Sequence, residues 1–277
     1  MSSAPSPQPP DLATLLAKLG KPGITLSELM QLCKQKGWDH RSYITGTVGS
    51  RTSFWRRIKT MQHDPERVML MVRPANPPPA ALAGQHLADE NDDADDVSKY
   101  MDDVLDLIQP CPNVPQHVRQ IAEDEYKHYQ VELAKAQGGA THSLLYKVDG
   151  DGRTISVSGV VRTHAQRDKD TAPAPFGGDV HKEPGDHKGH LYAATFASNP
   201  KSADAFLNVV WEKGVINLSY KKRFENAVAA FAEDNPGCIV TTLHEPLFRP
   251  DEGRPFAMQH YVVVDGVVVG AVTLKNE

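Results

Sequence analysis

The sequence has few cysteines, few aromatic residues and no long apolar run. Cys33, Cys111 and Cys238 stand far apart and form no CxxC pair, which argues against a disulfide framework and a thiolate zinc site and favours a reducing cytoplasm. No segment approaches the ~18 apolar residues that a membrane helix needs. The start, MSSAPSPQPPDL, has no basic segment followed by an apolar one, so we predict no signal peptide and expect export to need a secretion system.

The charge is divided unevenly along the 277 residues, although the formal total is only −5. Residues 1–73 hold 11 Lys/Arg and 5 Asp/Glu, residues 74–140 hold 4 and 13, and residues 141–277 hold 15 and 17. The chain therefore has a basic head, an acidic middle and a nearly neutral tail. A basic head can attract a polyanion, or it can be an ordinary solvated surface.

The first 73 residues predict a Ser/Pro-rich disordered tail (1–10) and a small basic helical domain (11–73). Thr25 and Glu28 form a capping-box pattern before a short helix that Gly37 ends. Two interpretations of this domain stay open. It is a helix-turn-helix-like module with a basic stretch, RTSFWRRIK (51–59), or a helical adaptor whose aromatic residues form its core.

The acidic middle divides into two segments. Residues 74–96 are rich in Pro, Ala and Asp and predict a linker without a packed core. Residues 97–140 predict a helical acidic segment, because apolar residues recur at helical spacing in VSKYMDDVLDLI and in VRQIAEDEYKHYQVELAKA. Gly138 and Gly139 end this segment.

Residues 141–277 predict an α+β domain. It opens with a hairpin, LLYKV, DGDG and RTISVSGVV, and continues with a polar loop over 165–188. A mostly irregular stretch then leads to a helix in SYKKRFENAVAAFAEDNPG, and two strands joined by the turn Asp265-Gly266 follow CIVTTLHEPLF at the end. We expect an antiparallel sheet with a packed helix and a long loop.

Chemistry-bearing residues cluster after the polar loop, in HKEPGDHKGHLYAA. His181, His187 and His190 alone are a weak metal signal, because spacing in a loop does not fix geometry. The order of the later residues is more informative: Asn208 and Asn217 lie nine residues apart, Glu225-Asn226 follows, and Arg254-Pro255 leads through Tyr261 to Asp265-Gly266.

In this order and spacing, residues 141–277 resemble the DNA/RNA non-specific endonuclease family of the ββα-metal superfamily, in its bacterial polymorphic-toxin branch. That family carries a strand pair, a D-R-G-H-L motif, paired Asn residues, an E-N step and a final R-P segment. In this chain His187 and Lys188 take the places of the motif Asp and Arg. One carboxylate is therefore missing unless Asp186 replaces it, and Lys188 lacks the forked geometry of arginine.

The resemblance and the chemistry of phosphodiester hydrolysis together assign roles. A histidine accepts a proton from water at neutral pH, so His190 is the expected general base. Asn217 is the expected Mg²⁺ ligand, with Mn²⁺ as a substitute. Eight helical residues span ~12 Å, so Glu225 would orient metal-bound water from a greater distance. The expected phosphate contacts are Lys188, Lys221, Lys222 and Arg223.

Weaker candidates for the site are Asp186, His187, Asn208 and Arg254, and each assignment has a structural alternative. His190 can be a structural histidine, His181 and His187 loop residues, and Asn208 a turn residue. Asn217 can belong to a helix cap, because Asn and Ser219 both favour helix starts. The run KKR (221–223) can be a solvated helix face, and Arg254-Pro255 can fix a turn.

The sequence thus predicts a metal-dependent endonuclease that cleaves DNA, and also RNA, without reading base edges. The family branch implies an antibacterial toxin or effector with an immunity protein as partner and a first half that serves delivery, targeting or restraint. Two alternatives stay open. The domain is an inactive nucleic-acid or protein binding module on the same scaffold, or the acidic stretch 89–106 covers the basic head or the active site.

Overall fold

The computed structural model describes residues 8–44, 61–62, 65–72, 86–88, 99–101, 105, 110–135, 144–162, 181–196 and 206–277. The fold is α+β with a mostly antiparallel sheet, as the sequence predicts. The basic stretch 51–59 and most of the acidic stretch 89–106 lie outside the described residues, so both interpretations of the basic head stay open. No helix within the described ranges is long and apolar enough to cross a membrane.

Helices occur at the start of the chain, in its middle and before its last three strands. The helices are α1 (Leu12–Leu19), α2 (Leu26–Lys36), α3 (Gln116–Lys135) and α4 (Lys221–Asp234). A π-helical turn, Ile216–Tyr220, leads directly into α4. The strands are β1 (Gly23–Thr25), β2 (Val68–Met71), β3 (His86–Ala88), β4 (Leu145–Val148), β5 (Thr154–Val160), β6 (Asp186–His190), β7 (Val209–Lys213), β8 (Val240–Phe248), β9 (Pro255–Val264) and β10 (Val267–Lys275).

The main sheet has the strand order β1-β2-β4-β5-β8-β9-β10-β3. Strands β4, β5, β8, β9 and β10 are antiparallel neighbours, whereas β2 adds to β4 and β3 adds to β10 in parallel. Strands from the predicted basic head therefore extend the sheet of the C-terminal domain. Strand β3 lies within the segment predicted as a linker, so the chain enters the sheet there.

Local sequence signals account for the helix start and turns that were predicted. Thr25 and Glu28 form both hydrogen bonds of a capping box at the start of α2, and Gly37 ends it at φ 71°. In the turn between β4 and β5, the Asp149 carboxylate accepts backbone N–H bonds from Asp151 and Arg153. The β9–β10 hairpin turns through Asp265 and Gly266, both with positive φ, which favours Asp-Gly at these positions.

One side of the sheet, which we call the α4 face, is covered by α4 and by the β6–β7 ribbon. Ile216, Tyr220, Phe224 and Val228 from the π turn and α4 are each no more than 3% exposed. They belong to the same apolar core as sheet residues such as Val157 and Val262, and α1 and α2 add Leu15, Leu16 and Leu29 to it. The N-terminal helices and the C-terminal domain therefore share one core.

The other side of the sheet, which we call the α3 face, is covered by α3. Val118 and Ala122 pack there against Leu243, Tyr261 and Ala271 in a second, smaller core. Next to this core lie charged side chains. Glu125 of α3 is 3.7 Å from the Lys147 ammonium, and His117 of α3 is 3.3 Å from the Glu245 carboxylate. The predicted acidic helix is thus a covering layer of the sheet.

The β6–β7 ribbon is a separate two-stranded sheet that the sequence pattern does not predict. Residues up to 188 were expected to be loop and residues up to Asn217 to be mostly irregular. Asp186–His190 instead pairs antiparallel with Val209–Lys213 over five residue pairs. The sequence DHKGH lacks the apolar alternation that marks a strand, so pattern alone could not find it.

Candidate active site

The ribbon places the motif residues on its two sides. Gly189 lies on the same side as Glu212, because Glu212 is the cross-strand partner of His187 and side chains two residues apart in a strand share a face. By the same alternation, Lys188 and His190 lie on the opposite side. Lys188 is exposed and His190 is half-buried at the end of β6.

A buried ion pair joins the ribbon to α4. The Lys221 ammonium, 2% exposed, donates a hydrogen bond of 3.2 Å to the Glu212 carboxylate, which is fully buried. Gly189 makes room for this carboxylate, since a Cβ atom at residue 189 would lie 1.9 Å from Glu212 Oε2. The glycine of the motif therefore permits the close approach of Glu212, and the ion pair fixes β7 against the first turn of α4.

Glu225 lies one turn after Lys221 and is half-buried. Burial raises the pKa of Glu225 to about 7, with Lys221 opposing the rise and Glu212 adding to it. Burial also raises the pKa of Glu212, again against the effect of Lys221. Two carboxylates and one ammonium thus interact electrostatically where the ribbon meets α4.

The π-helical turn changes the face on which Asn217 lies. The N–H of Lys221 bonds to the carbonyl of Ile216, five residues back, so one extra residue is accommodated before α4 begins. The eight residues from Asn217 to Glu225 therefore rotate like about seven residues of an α-helix, which is close to two full turns. Asn217, Lys221 and Glu225 consequently follow one another along one side of the helix.

The capping alternative for Asn217 is wrong. The structure has no side-chain capping bond at the start of the π turn or at the start of α4, among the residues it describes there. Asn217 is half-buried inside the helical segment. A helix cap therefore does not account for its amide.

Asn208 holds the backbone just after the motif. Its side-chain oxygen accepts a bond from the Tyr192 N–H and its amide donates to the Tyr192 carbonyl, both at 2.8 Å. Its own carbonyl accepts from the Leu191 N–H. Asn208 is fully buried, so it does not contact a hydrated ion directly. It fixes instead the chain that leaves His190.

Asp186 and Arg254 form a buried pair, which corrects two of the weaker candidates. The Asp186 carboxylate accepts two bonds from the Arg254 guanidinium, at 2.8 and 3.0 Å, and one from the Glu183 N–H. Arg254 also donates to the Asn276 carbonyl. The Asp186 carboxylate is occupied and does not replace the missing motif Asp by a loop adjustment. Arg254 is 5% exposed and is not available to bind a phosphate.

The basic residues of the helix differ in their exposure. Lys221 is buried in its ion pair, which argues against the predicted contact of this residue with substrate. Lys222 is exposed and Arg223 is half-buried. The exposed cations of this region are thus Lys222 on the helix and Lys188 on the ribbon.

The possible metal ligands suit a cation that keeps most of its water better than a cation enclosed by protein side chains. Among the residues that the structure describes, no group of three His, Cys, Asp or Glu side chains could hold a metal, so His181, His187 and His190 form no metal site. Asn217 offers an amide oxygen, and the buried Glu212, which pairs with Lys221 one turn further along the helix, has one carboxylate oxygen, Oε1, without a hydrogen-bond partner. Mg²⁺ usually keeps several of its water ligands, so one amide ligand with negatively charged carboxylates in the region is a suitable set of donors for it.

Sequence reasoning missed Glu212 and a buried histidine pair. His244 and His260 are cross-strand neighbours on the α4 face, with their Nδ1 atoms 2.6 Å apart. Both rings are at most 1% exposed and pack against Phe224. Burial holds both pKa values well below the ordinary range, and the charge of Lys221 contributes to this lowering. The strong apolar pattern around both residues gave no sign of this pair.

Residues 129–266, just under half of the chain, match the family model of DNA/RNA non-specific endonuclease. This segment is a DNA/RNA non-specific endonuclease domain. The match begins inside α3 and ends at the turn between β9 and β10. The family resemblance that the motifs carried is thereby confirmed, and the domain belongs to a class of hydrolases that act on phosphodiester bonds of nucleic acids.

Solved structures also resemble the chain, at low identity. NucA from Streptococcus agalactiae with magnesium ion bound is 18% identical over 51% of this chain and 73% of its own, with a TM-score of 0.37. Sda1 nuclease with bound zinc ion is 16% identical over 50% and 75%, and an extracellular endonuclease is 15% identical over 50% and 81%, both at 0.36. No curated protein matches the chain.

Proposed function

We propose that the nuclease domain hydrolyses DNA and RNA without sequence preference, with His190 as general base. The observation that carries the proposal is the junction of helix and ribbon: Asn217, Lys221 and Glu225 follow one side of the helix, and the Lys221–Glu212 pair joins that side to the ribbon whose first strand ends at His190. His190 comes directly after the motif glycine, and Asn208 fixes the chain on its other side. The imidazole is half-buried and so remains within reach of water.

Each side chain has a distinct task in this proposal. His190 takes the proton from the attacking water, which an imidazole does near neutral pH. Lys188 and Lys222 are exposed and hold phosphate oxygens of the substrate by charge. Lys221 and Glu212 keep the helix and the ribbon in register. None of these contacts depends on a base, so cleavage is sequence-tolerant.

Asn217 is the proposed ligand of a Mg²⁺ ion. Glu225, about two turns further along the helix, would orient the water bound to that ion. When bound, such an ion neutralises charge that grows on the phosphate and acidifies water. Glu225 is half-buried, and its pKa of about 7 suits a group that accepts hydrogen bonds from water or exchanges protons with it. Mn²⁺ is the expected substitute, because it shares the oxygen preference of Mg²⁺.

The whole chain is proposed to be an antibacterial toxin or effector. The resemblance to the polymorphic-toxin branch motivates this role. We propose synthesis in the cytoplasm, delivery into a target cell by a secretion system that the first half engages, and an immunity protein in the producing cell. Expression with and without a neighbouring candidate immunity gene tests the role, and growth without that gene contradicts it.

The activity is tested with the purified full chain on plasmid DNA and on RNA. With Mg²⁺ or Mn²⁺, we expect both substrates to be degraded without a fixed fragment pattern, and a chelator to stop the reaction. Asn217→Ala should lower the rate strongly, whereas Gln130→Ala, an exposed amide on α3, should leave it nearly unchanged. Intact plasmid and intact RNA in both metals would contradict the proposal.

A second candidate, a binding module without catalysis, is favoured by one observation. The motif carboxylate is replaced by His187, and the adjacent Asp186 is fully engaged with Arg254. This module would retain DNA in the presence of a chelator and cleave none in Mg²⁺. The two candidates therefore differ in the plasmid experiment, and retention without cleavage decides for the module.

A further inference from the structure

Two exposed apolar side chains project beside Asn217. Val215 is 41% exposed and Leu218 is 63% exposed, the largest value among the exposed large apolar residues that the structure describes. They lie three residues apart at the start of the π-helical turn. We call this pair of exposed apolar side chains the 215/218 ridge.

The ridge contrasts with the other apolar residues of the same helix. Ile216, Tyr220 and Phe224 are each at most 3% exposed, so the helix has a complete buried face without the ridge. A leucine left in water forgoes the stabilisation that burial gives. The fold therefore does not need Leu218, and the residue is free to serve a contact outside the chain.

The surroundings of the ridge are basic. Within residues 181–196 and 206–226 there are six Lys or Arg and four Asp or Glu. Three of the four carboxylates are in ion pairs, Glu183 and Asp186 with Arg254 and Glu212 with Lys221, and the fourth, Glu225, is half-buried. Lys222 lies four residues after Leu218 on the same helix and is exposed. The positive charge of this surface is complementary to a polyanion, and the exposed apolar ridge is complementary to apolar groups on the same ligand.

We propose that the 215/218 ridge contacts the sugars and bases of the nucleic-acid substrate, with Leu218 as a wedge against a base step. The inference rests on the proposed nuclease function and adds a substrate contact to it. Apolar side chains such as leucine insert between base steps in the minor groove and unstack them. Such a contact does not read a base sequence, because every base presents an apolar face. It thereby fits a sequence-tolerant enzyme.

The kinetic test compares duplex DNA with bis(p-nitrophenyl) phosphate, a phosphodiester that has neither sugar nor base. Leu218→Ala should raise KM for duplex DNA about tenfold, because alanine is too short to wedge against a base step, and leave hydrolysis of the small diester unchanged. Leu218→Phe should retain most of the activity on DNA. Leu19→Ala is the matched control, because Leu19 is an exposed leucine (41%) at the end of α1.

The binding test detects unstacking directly. A duplex with 2-aminopurine at successive positions is mixed with His190→Ala, so that the duplex stays intact. Fluorescence should rise at one or more positions, and the rise should be lost in His190→Ala/Leu218→Ala. A wild-type chain that cleaves neither substrate contradicts the proposed function, yet its binding still tests the ridge. Unchanged KM for DNA and unchanged fluorescence in the Leu218→Ala variants overturn the ridge proposal. This holds even if Leu218→Ala weakens binding of an immunity protein, because the ridge would then serve a protein contact and not the substrate.

Discussion

The two faces of the sheet bury charged and titratable side chains in different ways. On the α4 face, Glu212 and Lys221 are fully removed from water and lie near the two neutral imidazoles of His244 and His260. On the α3 face, Glu125 and Lys147 are largely buried but no nearer than 3.7 Å, and the pair of His117 and Glu245 leaves the imidazole half exposed. A buried charge is strongly destabilising when its partner is removed, whereas an exposed pair contributes little.

The difference bears on the proposed site. Glu212 lies against the motif glycine and is paired with Lys221 of α4, so in the proposed function its burial restricts the positions of the proposed catalytic groups. The charges of the α3 face join a covering helix to the sheet. Mutations and pH changes should therefore act strongly on the α4 face and weakly, with the opposite pH response, on the α3 face.

The largest expected effect comes from Glu212→Gln. This change removes the hydrogen-bonded counter-charge of the buried Lys221 ammonium and leaves only the weaker interaction with Glu225, so we expect the free energy of unfolding to fall by about 3 kcal/mol. Adding Lys221→Met should recover most of the loss, because the pair is then replaced by groups that need no counter-charge. Urea unfolding of the full chain measures both values.

Glu245→Gln is the matched control on the α3 face. It removes a carboxylate whose partner, His117, is half exposed, and it also removes repulsion from Glu125. We expect a change below about 1 kcal/mol. Equal losses for the two substitutions would show that the faces do not differ in this way.

The next effect is loss of stability in acid, caused by His244 and His260. Their folded-state pKa values lie well below the ordinary 6.5, so below pH 6.5 the unfolded chain binds protons that the folded chain does not. Stability should fall by about 1.4 kcal/mol for each histidine per pH unit, from pH 6.5 down to the folded pKa values. Unfolding curves between pH 7.5 and 5 measure the slope.

The double variant His244→Phe/His260→Leu isolates this effect. It should flatten the slope between pH 6.5 and 5, whatever its stability at pH 7.5. His128→Ala, a change of an exposed histidine on α3, should leave the slope as it is in the wild type. An unchanged slope in the double variant would locate the acid response elsewhere.

The smallest expected effect concerns His117. The Glu245 carboxylate raises the pKa of His117, so the stability from this pair is fully present below pH 6.5 and is lost as the pH rises through the raised value. The imidazole is half exposed, so we expect less than about 1 kcal/mol. His117→Ala should remove this small loss at alkaline pH. A loss of similar size to that of the buried pair would contradict the contrast between the faces.

The sequence predicted the regular elements of the fold well. The capping box of α2, the helical spacing of α3, the alternation in β5 and the apolar runs of β8 to β10 carry local signals, and the structure has each of these elements. The ribbon was missed because DHKGH is polar and contains a glycine. The pairing of β2 with β4 and of β3 with β10 was missed because parallel pairing between distant segments leaves no local pattern.

The sequence predicted the order of the candidate site residues along the chain but not their arrangement in space. The family motif pointed to His190, Asn217 and Glu225, but periodicity could not show that a π turn brings Asn217 and Glu225 to one side of the helix. The charges of Asp186, Lys221 and Arg254 were visible in the sequence, and their burial was not. Only tertiary packing showed that these three side chains are paired internally and that Glu212 belongs beside the motif.

The central claim is that the His190 imidazole is the base of a metal-dependent nuclease. The rate of plasmid cleavage in Mg²⁺ by His190→Ala, with His128→Ala as matched control, tests it most directly. A loss of general base catalysis lowers a rate by about 10²- to 10⁴-fold, so His190→Ala should fall within this range while His128→Ala keeps the wild-type rate. Wild-type cleavage by His190→Ala would contradict the account.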